Sequence, residues 1–169
     1  TEENALWSFA PHDVTVILRL LGQSPVEVSA SGGAYLNKGI ADVTVSNLRF
    51  SDDSRAHIFV SWLHPYKEQR LVVIGDQKMA IFNDVNPFGE KLCIYPQSVE
   101  FDGTSPILKK KDAEFIEHAN TEPLREECAH FLECMKSRKA PLTDARSGIE
   151  VLKVLHACQE SIEQNGVPT

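Results

Sequence analysis

The hydrophobic period of this chain changes twice along its length, and that change limits the folds open to it. Between Ala5 and Gly22, Val14, Ile17, Leu18 and Leu21 recur at the spacing of an amphipathic helix, and Gly22 stands where such a helix would stop. From Val26 to Tyr95 the spacing falls to two. Short segments rich in β-branched and aromatic residues follow one another over 26–30, 42–50, 55–63, 70–74, 78–82 and 91–95. Gly32-Gly33, Ser51-Asp52-Asp53-Ser54, Gly75-Asp76 and Asn83-Asp84 punctuate them, and the hairpin-sized links predict a mostly antiparallel sheet. Beyond Pro123 the helical period returns in two segments. Their stripes are Leu124, Cys128, Phe131, Leu132, Met135 and Ile149, Leu152, Leu155, Cys158, Ile162. Thr121 and Thr143 are the expected N-caps, with Pro123 in one first turn and Asp144 near the positive end of the other helix dipole. The pattern predicts an α+β, two-layer fold: an open, mostly antiparallel sheet of about six strands with helices packed on one face. Only 100–120 reads as a long irregular excursion.

Some strands are apolar on both faces. Over 55–63, Ala56, Ile58, Val60 and Trp62 share one face, while Phe59 and Leu63 share the other. A sheet with one wet face alternates more cleanly, so a second copy of the chain is expected over part of that face. The 169 residues fit a single domain, 1–169, with enough core to need no metal or disulfide. A net charge of -7 argues against a nucleic-acid partner, since a phosphate backbone demands a basic surface. The one basic run, Lys109-Lys110-Lys111, is followed at once by Asp112 and Glu114. No apolar run approaches the roughly 20 residues that span a membrane, so no membrane partner is expected. Cys93, Cys128, Cys134 and Cys158 form no Cys-x-x-Cys pair, and the last three sit in helical apolar patterns as small hydrophobes, which fits a cytoplasmic setting. The chain opens on Thr1-Glu2-Glu3-Asn4 without an initiator Met, as though joined midway.

Self-contained catalytic motifs are missing. There is no Gly-x-Gly-x-x-Gly, no His-Glu-x-x-His and no Gly-x-Ser-x-Gly, and Gly32-Gly33 lacks the strand–loop–helix setting that cradles a pyrophosphate. The most suggestive constellation is Trp7-Ser8-Phe9-Ala10-Pro11-His12-Asp13. Pro11 reads as the chain entering a helix, which would put the His12 imidazole at a helix N-terminus, neutral and able to exchange a proton. Ser8 and Asp13 are its polar neighbours, and a histidine that merely packs is the competing reading. A second cluster, 61–70, brings Trp62, His64, Tyr66, Lys67, Glu68 and Arg70 into one inter-strand loop. Cations and aromatic faces together suit a phosphorylated or carboxylated sugar, and they suit equally a polar hairpin whose charges pair among themselves. His130 and Cys134 lie four apart on one helix, but two ligands do not make a site and no metal is expected.

Beside these features stands a resemblance. Leu6-Trp-Ser-Phe-Ala-Pro-His-Asp13 with Leu20-Leu21-Gly22, then Gly39-Ile-Ala-Asp-Val43, Ala56-His-Ile-Phe-Val-Ser-Trp-Leu-His-Pro65, Lys67-Glu-Gln-Arg70 and Lys78-Met-Ala80 resemble the C-terminal domain of the Gfo/Idh/MocA oxidoreductases. Glu122-Pro-Leu-Arg125, His130-Phe-Leu-Glu-Cys134 and Pro141-Leu-Thr-Asp144 continue the match over nearly the whole chain. It looks most similar to the branch acting on the 3-hydroxyl of UDP-N-acetylglucosamine or its uronic acid. The resemblance implies a separate N-terminal Rossmann domain that binds NAD or NADP and carries a catalytic Lys; neither is in this chain. It implies hydride transfer from a sugar carbinol to the nicotinamide, with His12 sharing the removal of the hydroxyl proton. It also implies oligomer contacts through the exposed sheet face. His12 takes the family's histidine position, with Ser8 where Asp or Asn is usual, Ala10 for a Gly, and Thr15 for a later Asp. The resulting candidate set is His12, Ser8 and Asp13 for catalysis, and Trp7, His64, Lys67 and Arg70 for a nucleotide-sugar substrate. A non-catalytic assembly or sugar-binding module on the same fold is the alternative, kept open by the Ser8 and Thr15 departures.

Overall fold

The computed structural model describes residues 3–96, 99–108 and 112–169, so the basic run at 109–111 lies outside the described residues. In chain order the elements are α1 (Ala5–Leu21), β1 (Glu27–Gly33), β2 (Val43–Arg49), β3 (Arg55–Ser61), β4 (Arg70–Ile74), β5 (Met79–Asn83), β6 (Leu92–Tyr95), β7 (Val99–Phe101), β8 (Pro106–Leu108), β9 (Glu114–Phe115), α2 (Pro123–Ser137) and α3 (Ala145–Glu163). They divide into two units, one of residues 1–63 with 133–169 and one of residues 64–132. The class is α+β with antiparallel sheets, as expected. All the anticipated strands form, in sheets ordered β1-β2-β3 and β4-β5-β6-β9 with a separate β7-β8 hairpin.

In the first unit Asn4 starts α1. Its side-chain oxygen accepts from the Trp7 N–H at 3.2 Å, while Gly22 ends the helix in the left-handed region at φ 65° with its N–H on the Leu18 carbonyl. Pro11 therefore lies inside the helix, and His12 sits about two turns beyond the start rather than at the N-terminus. This corrects the expectation drawn from Pro11. An internal proline costs about 3 kcal/mol, but Ala5, Leu6 and Ala10 are fully buried, and their burial draws the helix back past it.

On the sheet, Val28, Ala30, Leu48, Ile58 and Val60 face α1 and α3 and form the core with Val14, Ile17, Val154, Leu155 and Cys158. The opposite face presents polar rows, Glu27–Arg49–Arg55 and Ser29–Asn47–His57, followed by Val45 beside Phe59, which is 52% exposed. The outer edge of β1 is closed by the chain itself. Val28 and Thr169 exchange backbone hydrogen bonds of 3.0 and 2.9 Å, and Ala30 N–H donates to the buried Ser161 hydroxyl at 2.9 Å. Asp42, also buried, accepts from the Tyr35 and Leu36 amides and so folds the 34–41 loop onto the start of β2.

In α3 the cap is Asp144, whose carboxylate accepts from Ser147 N–H at 2.9 Å, and not Thr143. The buried stripe is Val151, Val154, Leu155, Cys158 and Ser161; Ile149 and Leu152, predicted inside, are exposed. The cap of α2 likewise moves, from Thr121 to Glu122, whose carboxylate accepts from Leu124 and Arg125 N–H at 3.3 and 2.6 Å. No residue of α2 is buried, and Leu124, Phe131, Leu132 and Met135 are each more than half exposed, with Cys128 exposed too.

In the second unit, β4, β5 and β6 pair in sequence and β9 joins β6. The expectation of an irregular 100–120 is corrected here: β8, β9 and most of β7 lie within it, with Asp102 turning the β7–β8 hairpin by accepting from Thr104 and Ser105 N–H. Two- and three-residue strands carry too few side chains to show a period. Among the described residues no helix is long and apolar enough to cross a membrane.

Candidate functional site

The candidate residues fall into the two units, and each cluster has its own geometry. In the first unit, Ser8 and His12 stand four apart on α1 and so lie one above the other on one helical face. Both are exposed, as is Asp13 beside them. The ring of His12 is therefore open to a ligand rather than packed beneath the sheet. Burial of its surroundings pushes the Asp13 carboxyl above its ordinary value, against a pull downward from His12, even though the side chain keeps solvent exposure. Thr15 is committed elsewhere: its hydroxyl donates to the Pro11 carbonyl at 2.7 Å.

Trp7 belongs to the same turn but looks inward. It is half-buried, its indole N–H donates to the Gln159 side-chain oxygen at 3.3 Å, and its ring meets His156 edge-on with centroids 5.0 Å apart. Asn4 donates to the same Gln159 oxygen at 2.8 Å. Trp7 thus anchors the first turn of α1 on α3. Its partners Gln159 and His156 are invisible in sequence because they lie more than a hundred residues away and carry no motif.

In the second unit residues 64–69 are organised by ion pairs. Lys67 Nζ and Lys91 Nζ both donate to Asp84, at 2.5 and 2.8 Å, and the two ammonium groups hold that carboxyl below the usual carboxylate range. Two cations share one anion, so the trio keeps a net positive charge. His64 stacks on Tyr66 with centroids 5.7 Å apart, and its Nδ1 lies 3.4 Å from Glu68. Arg70 begins β4 opposite Asn83 and is exposed. Both Lys67 and His64 are therefore paired, His64 with Glu68 inside the 61–70 cluster and Lys67 with Asp84 outside it, and the cluster links strands of two different sheets and is not a hairpin. The role of Asp84 and Lys91 as its organisers is hidden in sequence because Asn83-Asp84 reads first as turn punctuation.

What this arrangement can do follows from its parts. The α1 face offers an accessible imidazole next to a hydroxyl, suited to moving a proton at a bound alcohol. The loop offers ammonium and guanidinium groups to an anion, though without a pre-emptied pocket. Among the described residues no group of three or more His, Cys, Asp or Glu is placed to hold a metal ion. Gly32 and Gly33 end β1 and lead into the 34–41 loop, with no helix after them, so the chain has no cradle there for a dinucleotide pyrophosphate.

Residues 2–81, just under half of the chain, match the family model of the GFO/IDH/MocA C-terminal domain. That stretch contains α1, the first four strands and the first part of β5. No curated protein matches the chain in sequence. Among solved structures, the fold is similar to UDP-N-acetylglucosamine 3-dehydrogenase GnnA from Acidithiobacillus ferrooxidans, with TM-score 0.78 and 19% identity over 95% of this chain and 48% of that one. It is similar to the aldose-aldose oxidoreductase from Caulobacter crescentus complexed with glycerol, with TM-score 0.74 and 15% identity over 99% and 47%. It is similar also to the WlbA dehydrogenase from Bordetella pertussis in complex with NADH and UDP-GlcNAcA, with TM-score 0.68 and 19% identity over 98% and 44%. At these identities the likeness is one of fold, and the chain spans about half the length of each.

Proposed function

We infer that the whole chain, beyond the matched residues 2–81, is a C-terminal domain of the GFO/IDH/MocA family, and that it serves an NAD(P)-dependent oxidoreductase acting on a sugar hydroxyl. The substrate in this reading is a UDP-N-acetyl-hexosamine and the reacting group its 3-hydroxyl. The observation that supports it best is the exposed Ser8–His12 face of α1, which lies inside the matched segment. The chain offers no pyrophosphate cradle at Gly32-Gly33, so the dinucleotide belongs to a domain outside it. What this chain supplies is the proton acceptor and the groups that hold the sugar nucleotide.

His12 is the general base: its imidazole, open to solvent on α1, takes the proton of the sugar hydroxyl. Ser8, one turn earlier, offers a hydroxyl to orient the sugar or the ring, and Asp13 adds a negative charge beside the imidazolium that forms on protonation. Within the second unit, taken by itself, Lys67, which keeps part of its field despite Asp84, and Arg70 offer positive charge to an anionic group, while His64 and Tyr66 offer stacked ring faces. The four cysteines are free thiols, in keeping with a cytoplasmic enzyme.

The test is a nicotinamide-reduction assay on UDP-N-acetylglucosamine, using the protein in which this chain is joined to a dinucleotide-binding half. His12→Ala should lower kcat by about a hundredfold or more, the usual scale of a lost general base. Turnover unchanged by that substitution would overturn the assignment, and failure of the parent to reduce either dinucleotide with any nucleotide sugar would favour a non-catalytic module.

A further inference from the structure

The face that carries Ser8 and His12 is held from the other side of α1, and the hold is polar. Gln159 of α3 accepts two hydrogen bonds at its side-chain oxygen, from Asn4 Nδ2 at 2.8 Å and from Trp7 Nε1 at 3.3 Å. Its amide nitrogen donates to Glu163 Oε1 at 2.8 Å. The chemistry of the partners leaves one arrangement. An indole can only donate, and the Asn4 oxygen is already taken by Trp7 N–H, so Asn4 turns its nitrogen to Gln159 and Gln159 must turn its oxygen to both. His156, one turn earlier on α3, closes the other side of the indole edge-on.

We propose that Gln159 is a positioning residue for the α1 site: through Asn4 and Trp7 it fixes the rotation and axial position of the first turns of α1, and with them the Ser8–His12 face. The inference rests on the reading of His12 as the general base. Its physical basis is that both contacts fall where α1 most needs them. Pro11 removes the N–H that would bond the Trp7 carbonyl, so the first turn is tied to the rest of the helix by one backbone bond fewer. Of the three residues that face the core there, Ala5 and Ala10 are too small to lock rotation by interdigitation, which leaves Leu6 as the one large apolar contact of those turns. A helix turned by a fraction of its own side-chain spacing would displace an imidazole by about an ångström, enough to lower turnover by up to a hundredfold.

The experiment uses the protein joined to its dinucleotide-binding half and compares three variants. Gln159→Leu, which keeps most of the volume and removes the acceptor, should lower kcat about tenfold to a hundredfold while leaving KM for the dinucleotide unchanged. Gln159→Glu combined with Glu163→Gln keeps the acceptor and reverses its partner, and should restore kcat to within about threefold of the parent. In this chain alone, Gln159→Leu should shift the His12 ring resonances in NMR, and the exchanged pair should return them. If His12→Ala abolishes turnover but Gln159→Leu leaves kcat at the parent value, the positioning role is wrong and the general base stands. If His12→Ala leaves turnover intact, both fall together. Should Gln159→Leu not fold, the exchanged pair decides: folded and active supports the role, folded and slow overturns it.

Discussion

Asp13 shows how a residue can sit at a candidate site and still burden the fold. Burial of its surroundings raises its carboxyl pKa, so the folded chain holds the Asp13 proton more tightly than the unfolded chain does. Below the ordinary aspartate value of about 3.9 both folded and unfolded chains hold the proton, and the group has no effect on stability. As pH rises from there through the raised folded value, stability falls, and above it the loss is constant. Asp13→Asn should therefore raise the thermal midpoint at pH 7 and leave it unchanged at about pH 3; a variant no more stable than the parent at neutral pH would contradict this. The position of His12 is legible in sequence through its motif, but its environment is not. Pro11 points to the wrong helix start because local punctuation takes no account of the burial of Leu6 and Ala10, which only the assembled core supplies. The hydrogen bond from the Trp7 indole to Gln159 is likewise outside the reach of local pattern, because its two partners lie at opposite ends of the chain.

At the scale of elements, the helical period announces that α3 exists but not which way it faces. Two overlapping rows of apolar residues run along it, and the row that is buried includes Ser161, whose hydroxyl serves the edge of β1. A hydroxyl in the core stripe lowers the apolar count of the true face, so counting favours the wrong neighbours at Ile149 and Leu152. Leu155 is 1% exposed and Leu152 49% exposed. Leu155→Ala should cost about 2–5 kcal/mol in chemical denaturation, and Leu152→Ala should stay within about 0.5 kcal/mol; equal losses would mean that the stripe is misassigned. The cap of α3 has a pH signature. The Ser147 amide holds the Asp144 carboxyl below its ordinary value, so its stabilising effect is complete above about pH 3.9 and disappears as pH falls through the lowered folded value. Asp144→Ala should thus destabilise at pH 7 with a deficit that shrinks on acidification, read from urea midpoints at the two ends of that range.

For the molecule as a whole, the telling feature is the β4-β5-β6-β9 sheet. Cross-strand register puts Val72, Ile81, Cys93 and Phe115 in one row and Leu71, Phe82 and Leu92 in the next, on opposite faces. A strand pair wet on one side would carry polar residues in one of these rows; here both are apolar, and only Cys93 is buried within the described residues of the sheet. Val72 and Val73 point to opposite faces and both remain exposed, and Ile74 is 77% exposed. The two-faced apolar pattern is legible in sequence at 55–63, but its strongest instance, 70–95, is harder to see there, because each of these strands is only four or five residues long. An exposed apolar surface of this kind is the sort that association covers, and a second copy of the chain over one of these faces is the outcome to test. Val72→Glu and Val73→Glu place a charge on one face each. In sedimentation velocity at micromolar concentration the parent should run as a dimer or larger, and at least one of the two variants should run smaller, because a carboxylate in a closed apolar contact loses its water without gaining a partner. A parent that sediments as a monomer, or two variants that both keep the parent's size, would mean that the exposed rows are not the contact.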